Sequence, residues 1–325
     1  FLLIYINKLM IIEKYKRIIL FFVIPIVLFM LISNYVSPNL FKINVPESAI
    51  EYFTGDTLKL NENTDKQNPL KILNKKKNNL DTPHRNLVFT SAGDNTDFHN
   101  LWLDKKNQNF DIMVVYYKDS DKKYNEYAEK VDYIMKKKGS KMQNLYYVYN
   151  NYRDILNKYD RFFVLDDDII FKTKDINEMF AISKKYNLWI CGPTFKKTPE
   201  CKISHPITIS KGRKEMRYTN FIEVNTPLFN KYALEKFLLV FDPVLIEYGV
   251  DYLYIWACGL EHKNKYALVD SVTCINPKDH IKSKSNEREL NILPNIINKK
   301  QLWRDFSRNH GIKEPISKTW KTIKL

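Results

Sequence analysis

The chain has 325 residues, of which 44% are hydrophobic, so it can hold one large or two small domains with a buried core. Its net charge of +15 is typical of nucleic-acid-binding proteins. The excess is mostly lysine, scattered along a chain that is also rich in Asn, Ile and Tyr, and we therefore expect no nucleic-acid binding. An anionic small substrate or a membrane surface would account for the charge equally well.

The N-terminal part of the chain predicts a membrane anchor. Residues 18–36 are almost wholly apolar, nearly long enough to cross a bilayer, and follow Lys14, Lys16 and Arg17. Cations on this flank keep residues 1–17 in the cytosol, and no small-x-small cleavage site follows. We therefore expect a retained, single-pass type II signal anchor with the catalytic domain on the non-cytosolic side, in a Golgi- or ER-like lumen if the source is eukaryotic. A buried helix of a soluble core is the alternative.

Residues 37–84 are polar, contain dispersed prolines and show no sustained periodicity, which is typical of a stalk or linker. From residue 85 the pattern changes to apolar strands that alternate with helices. The strand candidates in order are "NLVFTSAG", "FDIMVVYY", "DYIMK", "RFFVL" and "LWICGP", and the helix candidates are "KMQNLYYVYNNYRDILNKYD" and "INEMFAISKKY". This alternation predicts an α/β domain with a largely parallel sheet over residues 85–282. Residues 283–325 form a basic, poorly patterned C-terminal extension.

Four cysteines lie in the predicted domain without C-x-x-C spacing, which argues against a zinc site. Two disulfides remain open in an oxidising compartment, but we expect buried free thiols.

Three adjacent carboxylates, Asp166 to Asp168, follow the apolar run "RFFVL" and precede "IIF". Side chains alternate along an extended segment, so Asp166 and Asp168 would project together, as in a D-x-D site for Mg²⁺ or Mn²⁺. A solvated acidic turn is the alternative. A metal here could stabilise the leaving diphosphate in a glycosyltransferase. It could also serve an aspartyl-phosphate phosphatase, but that chemistry needs the acids after the first strand of the domain.

From about residue 85 to residue 277 the chain resembles a family of plant and microbial proteins known only as a domain of unknown function, which itself looks like GT-A glycosyltransferases. The ordered segments that carry the resemblance are "RNLVFTSAG", "FDIMVVYY", "KYDRFFVLDDDIIF", "LWICGP", "SHPIT", "FIEVNTPLFNKYAL", "EYGVDYLYIWACG" and "YALVDSVTCINP". The resemblance implies the GT-A fold, a Rossmann-like mixed, mostly parallel sheet flanked by helices.

The resemblance also implies roles for individual residues near the donor. Asp166 and Asp168 would bind the metal and the diphosphate. The segment "TSAGD", with Thr90, Ser91, Gly93 and Asp94, would receive the nucleotide together with Asp167. Lys141, which precedes the helix leading to the acidic strand, would neutralise donor phosphate.

On the acceptor side, "EYGVD" matches a Trp-Gly-x-Asp segment in which Tyr248 replaces the Trp, and Asp251 would be the catalytic base. Asp251 could equally cap the helix that follows. Glu223 would hydrogen-bond the acceptor, although a structural salt bridge with Arg213 or Arg217 is as plausible. His205 matches a family His for acceptor binding, but a lone His is more often structural.

The third metal ligand departs from the family pattern. The family has a His after its Val-Asp-Ser, whereas this chain has Asn276 at that position. The amide oxygen of Asn suits a hard cation, and His280 or Asp270 could substitute for it.

These observations together predict a membrane-anchored glycosyltransferase that uses Mn²⁺ or Mg²⁺. It would move a sugar, with inversion, from a nucleoside-diphosphate sugar to a hydroxyl of a glycan, protein or lipid acceptor. The alternatives are a metal-dependent phosphatase or phosphotransferase, and a non-catalytic GT-A-like protein that binds carbohydrate or nucleotide.

Overall fold

The computed structural model describes residues 69–73, 85–96, 98–278, 293 and 296–325. The predicted anchor at 18–36 and most of the predicted stalk lie outside the described residues. Among those that are described, no helix has the length and apolar character needed to cross a bilayer.

The described chain is a mixed α/β structure built on a ten-stranded sheet. The strands are β1 Lys71–Ile72, β2 Asn86–Ala92, β3 Asp111–Tyr116, β4 Tyr133–Lys136, β5 Arg161–Val164, β6 Ile190–Phe195, β7 Lys214–Thr219, β8 Leu228–Asn230, β9 Tyr266–Cys274 and β10 Thr319–Lys324. Their spatial order is β1-β4-β3-β2-β5-β8-β6-β9-β7-β10. The main helices are α1 Phe98–Leu101, α2 Asp121–Ala128, α3 Lys141–Asn151, α4 Arg153–Leu156, α5 Thr173–Lys185, α6 Lys231–Val240, α7 Val250–Cys258 and α8 Lys299–Asn309.

The strand order reverses between β2 and β5. From β2 the chain adds β3 and then β4 on one side, and it then returns to place β5 on the other side of β2, parallel to it. Ligands of open α/β sheets bind at such a reversal, in the crevice beyond the carboxyl ends of the two strands. The residues after Ala92 and after Val164 therefore border the expected binding crevice.

Side chains alternate between two hydrophobic clusters, one on each face of the sheet. Leu87 and Phe89 of β2 belong to one cluster, and Val88 belongs to the other. Both faces are covered, which explains the nearly continuous apolar runs in the central strands. All four cysteines are buried free thiols, as expected.

The predicted strands occur near their predicted positions, but the sheet is more mixed than the sequence indicated. The antiparallel strand β8 lies between β5 and β6 and pairs with both. The predicted helix over residues 141–160 is broken at Tyr152, where φ is −133° and ψ is 38°, so that α3 and α4 are separate.

The C-terminal extension contains a helix and a strand that the sequence analysis did not predict. Strand β10 pairs antiparallel with β7, and Trp303 of α8 is completely buried. The Trp303 ring packs against Gly249, where an added Cβ would lie 2.0 Å from Trp303 Cδ2. The extension therefore packs against the residue that precedes helix α7.

Candidate functional site

The acidic triplet lies at the carboxyl end of β5, beside the end of β2. The backbone N–H of Gly93 donates to Asp167 Oδ2 at 2.9 Å, and Thr96 Oγ1 donates to the Asp167 carbonyl. The segments after the two strands are thus bonded to each other across the strand-order reversal. The segments "TSAGD" and "DDD" therefore meet at one edge of the sheet.

The triplet is not extended, in contrast to the geometry expected from alternation. Strand β5 ends at Val164, and the Ile169 N–H donates to the Asp166 carbonyl at 3.2 Å, which closes a turn over Asp167 and Asp168. A turn does not alternate its side chains as a strand does, so the reason for pairing Asp166 with Asp168 does not hold.

Asp166 is held by a cation and an amide. Lys141 Nζ lies 2.5 Å from Asp166 Oδ1, and Asn225 Nδ2 donates to Asp166 Oδ2 at 2.6 Å. The same ammonium donates to the carbonyls of Val224 at 2.7 Å and Asn225 at 3.4 Å. Lys141 therefore joins the acidic turn to the loop between β7 and β8.

Lys141 can make these contacts because helix α3 begins at a fixed position. Ser140 caps the helix, and its side chain and that of Gln143 form a reciprocal capping box. The Lys141 side chain is only 4% exposed, and its charge is offset by Asp166. Neutralising a donor phosphate, as the resemblance implies, would require this ammonium to exchange partners.

Replacing Lys141 with Met should lower the free energy of unfolding by about 2 kcal/mol, because Asp166 and two carbonyls would lose a charged donor. Chemical denaturation measures this change. Lys138→Met is the matched control, because the Lys138–Asp119 pair is largely exposed, with side chains 50% and 88% accessible, and should contribute nothing measurable. Equal stability of the two variants would contradict a structural role for the Lys141 ammonium.

The other predicted donor residues differ in their exposure. Thr90 is completely buried in β2, and Ser91 Oγ accepts a hydrogen bond from Asn144 Nδ2 at 3.0 Å. Gly93 packs so closely that an added Cβ would lie 2.6 Å from the Tyr117 hydroxyl. Asp94 is half-buried and accepts a hydrogen bond from the Tyr116 hydroxyl. Asp94 and the Gly93 backbone thus lie nearest the crevice, whereas Thr90 and Ser91 support it.

Asp251 lies in the first turn of α7 and is 9% exposed. It is not the N-cap, because the helix begins after Gly249, whose φ is +82°. The capping alternative is therefore wrong. Oδ1 of Asp251 instead accepts a hydrogen bond from the Val224 N–H. Burial raises the pKa of Asp251 to about 7, although this hydrogen bond and the Lys141 charge act in the opposite direction.

Glu223 and Glu247 interact electrostatically with Asp166 and Asp251, and these four residues form a carboxyl cluster. Burial raises the pKa of Glu223 to about 8, with smaller contributions from Asp251 and Asp166. Burial also raises the pKa of Glu247, and Asp166 adds to this effect. Glu223 does not pair with Arg217, because Arg217 donates to Asp270 at 2.7 Å in a buried ion pair.

The resemblance did not identify three residues of this cluster. Glu247 accepts the Lys141 backbone N–H at 3.1 Å from a left-handed backbone conformation with φ +55°. Val224 and Asn225 connect Asp251, Lys141 and Asp166 through backbone and amide groups. Backbone contacts leave no residue-type signature, but the Glu in "EYGVD" was a sequence signal for Glu247.

His205 lies beside the cluster rather than within it. Its ring packs on Phe221 with centroids 4.4 Å apart, and burial lowers the pKa of the imidazole. The residue is half-buried, so part of it remains accessible.

Asn276 is 2% exposed and lies near the acidic turn, because Ile170 and Ile275 form an antiparallel bridge. The chemistry of Asp168 and Asn276, a carboxylate and an amide oxygen, fits a hard cation.

His280, an alternative third ligand, lies outside the described residues. Asp270 is bound to Arg217 and to the Lys211 N–H, so it is not an available ligand. The part of the chain that is described contains no group of three His, Cys, Asp or Glu residues arranged for a metal.

The solved structures to which this chain is similar include two of S. aureus TarS. The TarS 1-349 structure in complex with UDP-GlcNAc is 12% identical, with 70% of this chain and 72% of that chain covered and a TM-score of 0.42. The TarS 1-349 structure in complex with UDP is 11% identical, with 70% and 71% covered and a TM-score of 0.41. A197 from STIV is 12% identical, with 63% and 100% covered and a TM-score of 0.32.

A comparison with curated proteins found no match. A family model described as "Protein of unknown function (DUF707)" matches residues 57–301, which is more than half of the chain and includes every described residue of the carboxyl cluster. The chain therefore belongs to the DUF707 family.

Proposed function

We propose that this protein is a GT-A-type glycosyltransferase that moves a sugar from a nucleoside-diphosphate donor to an acceptor hydroxyl with inversion. The observation that carries the proposal is the position of Asp251. It is a buried carboxylate whose pKa is raised to about 7, and Val224 links it to Lys141 and Asp166 at the strand-order reversal. A base with a pKa near neutral pH is well suited to take a proton from a hydroxyl group.

In the proposed reaction the acceptor hydroxyl gives its proton to Asp251 as its oxygen attacks the anomeric carbon. The bond between that carbon and the diphosphate oxygen breaks at the same time, and its electron pair leaves with the diphosphate. The Val224 N–H orients the Asp251 carboxylate by its hydrogen bond to Oδ1. Asp94 and Gly93 border the crevice in which the nucleotide would lie.

The proposal includes a divalent cation. Asp168 and Asn276 are the residues that would hold Mg²⁺ or Mn²⁺ in this chain. The ion would offset negative charge on the departing diphosphate. Asp166, whose two carboxylate oxygens are bound by Lys141 and Asn225, would act by fixing the turn that carries Asp168.

Attachment to a membrane also belongs to the proposal. It rests on the apolar sequence at 18–36 and on the cations at residues 14, 16 and 17. This arrangement would hold the catalytic domain on the non-cytosolic side, close to glycan, protein or lipid acceptors.

A donor should stabilise the full chain against heat, which gives a direct test. UDP- and GDP-sugars with Mn²⁺, at about one hundred times their Kd, should raise Tm by about 5 °C and release nucleoside diphosphate when acceptor is present. Asp168→Asn should remove the metal-dependent part of the shift. The control Asp175→Asn, in helix α5, should retain it.

Absence of a shift with every nucleotide sugar would overturn the donor assignment. A shift without turnover would indicate a binding protein. Release of phosphate from a generic ester without any nucleotide sugar would indicate a phosphatase.

A further inference from the structure

The carboxylate of Glu223 is buried and incompletely hydrogen-bonded. Glu223 lies in the loop between β7 and β8 and is 4% exposed. The hydroxyl groups of Ser204 and Thr208 lie beside it. Within the described part of the chain, however, no group donates a hydrogen bond to Glu223 Oε2. A buried carboxylate oxygen without a donor is unfavourable, so this atom indicates a missing partner.

The charges around Glu223 indicate what that partner should be. Glu223 interacts electrostatically with Asp251 and Asp166, and Asp251 interacts in turn with Glu247. Tyr254 and Cys274 are its other titratable neighbours, and burial raises the pKa of each. The surroundings of Glu223 are therefore acidic.

The nearby cations are already engaged. Lys141 binds Asp166 and two carbonyls, and Lys299 interacts with Glu247. Neither of these two described residues donates to Glu223. A neutral donor would satisfy Oε2 alone, whereas a cation would also stabilise the ionised form of Glu223, which burial disfavours.

Partly accessible residues lie close to Glu223. Ser204, whose hydroxyl lies beside Glu223, is exposed, and the half-buried His205 and Tyr252 both contact the buried Phe221 ring. The His205 and Phe221 centroids are 4.4 Å apart, and those of Phe221 and Tyr252 are 5.8 Å apart. Aromatic rings attract cations and pack against sugar rings, so this row suits a cationic carbohydrate.

We infer that Glu223 binds an ammonium group, and that the acceptor class is therefore an amine-bearing hydroxyl compound such as an amino sugar. The identification of this ligand as the acceptor rests on the proposed glycosyl transfer, but the ammonium site itself does not. Its partner atom would be Oε2 of Glu223. The acceptor hydroxyl would then face Asp251 while the amine faces Glu223.

Binding of three related sugars to the full chain without donor tests this site. Calorimetry should show glucosamine binding at least about tenfold more tightly than glucose or N-acetylglucosamine, because only glucosamine carries an ammonium group. Glu223→Gln keeps the shape of the side chain and should reduce the three affinities to similar values. The control Glu178→Gln, on the exposed side of α5, should retain the preference.

Equal affinities of the wild-type chain for glucosamine and N-acetylglucosamine would overturn the inference, even if Glu223→Gln failed to fold. A preference that persists in a folded Glu223→Gln variant would also overturn it. A preference lost in Glu223→Gln, with no response to any nucleotide sugar, would support the ammonium site and refute the transferase. The two proposals can therefore fail separately.

Discussion

Asp251→Asn should lower the rate of sugar transfer about 1,000-fold, which is the largest catalytic effect expected in this chain. Asn has nearly the same shape and can still accept the Val224 N–H, but it cannot take a proton from the acceptor hydroxyl. The measurement is release of nucleoside diphosphate with donor and acceptor both present. Donor binding should be unchanged, since Asp251 acts on the acceptor side.

The pH dependence of the wild-type chain checks the same assignment. Because the pKa of Asp251 is raised to about 7, kcat/KM should rise with pH below that value and level off above it. The folded chain binds more protons at Asp251 than the unfolded chain between about pH 4 and pH 7, so this group lowers stability as pH rises through that window. Asp251→Asn should lose both dependences.

Asp175→Asn is a suitable control, because it makes the same chemical change in the first turn of helix α5 and Asp175 has no role in the proposed site. Its activity should match that of the wild-type chain. An Asp251→Asn variant that stays folded and keeps more than a tenth of the wild-type activity would exclude Asp251 as the base.

Gly249→Ala should cause the largest loss of stability, about 3 kcal/mol or more. The new Cβ would lie 2.0 Å from Trp303 Cδ2, and the backbone at this position has φ +82°, which favours glycine. The Trp303 ring cannot easily move, because it is completely buried and its Nε1 donates to Glu314 Oε1 at 2.5 Å. Chemical denaturation of the full chain measures the loss.

Gly311→Ala separates the two causes. Gly311 also has a positive φ, +64°, but an added Cβ would meet nothing within 4 Å. This variant should lose only the about 1–2 kcal/mol expected for a non-glycine residue in the left-handed region. If the two variants lost the same amount, the packing of Trp303 against Gly249 would not contribute to stability.

Much of the sheet could be predicted from sequence, because its central strands are apolar on both faces. "NLVFTSAG" and "FDIMVVYY" correspond to β2 and β3, and both were predicted as apolar strands of an alternating α/β pattern. The meeting of "TSAGD" and "DDD" is consistent with the predicted parallel strands, because such strands bring their carboxyl ends to one edge. The antiparallel β8 was not predicted, because its three residues, Leu228–Asn230, are too few to show a period.

The details of the site were harder to predict because they depend on contacts between distant residues. The distance from Lys141 to Asp166 is 25 positions in sequence, and Val224 lies 83 positions from Lys141. The alternation rule placed Asp166 with Asp168, but one backbone hydrogen bond from Ile169 turns the chain at that point. Secondary-structure periodicity contains no information about such a bond.

Strand β10 and Trp303 follow all the described residues of the site in the sequence. Gly249, which precedes the Asp251 helix α7, packs against Trp303. Strand β10 pairs with β7, the strand that precedes the loop of Glu223. Neither contact can form before these residues have been synthesised. The finished site should therefore depend on residues beyond 301, where the family match ends, and a chain cut at that point would lack both contacts.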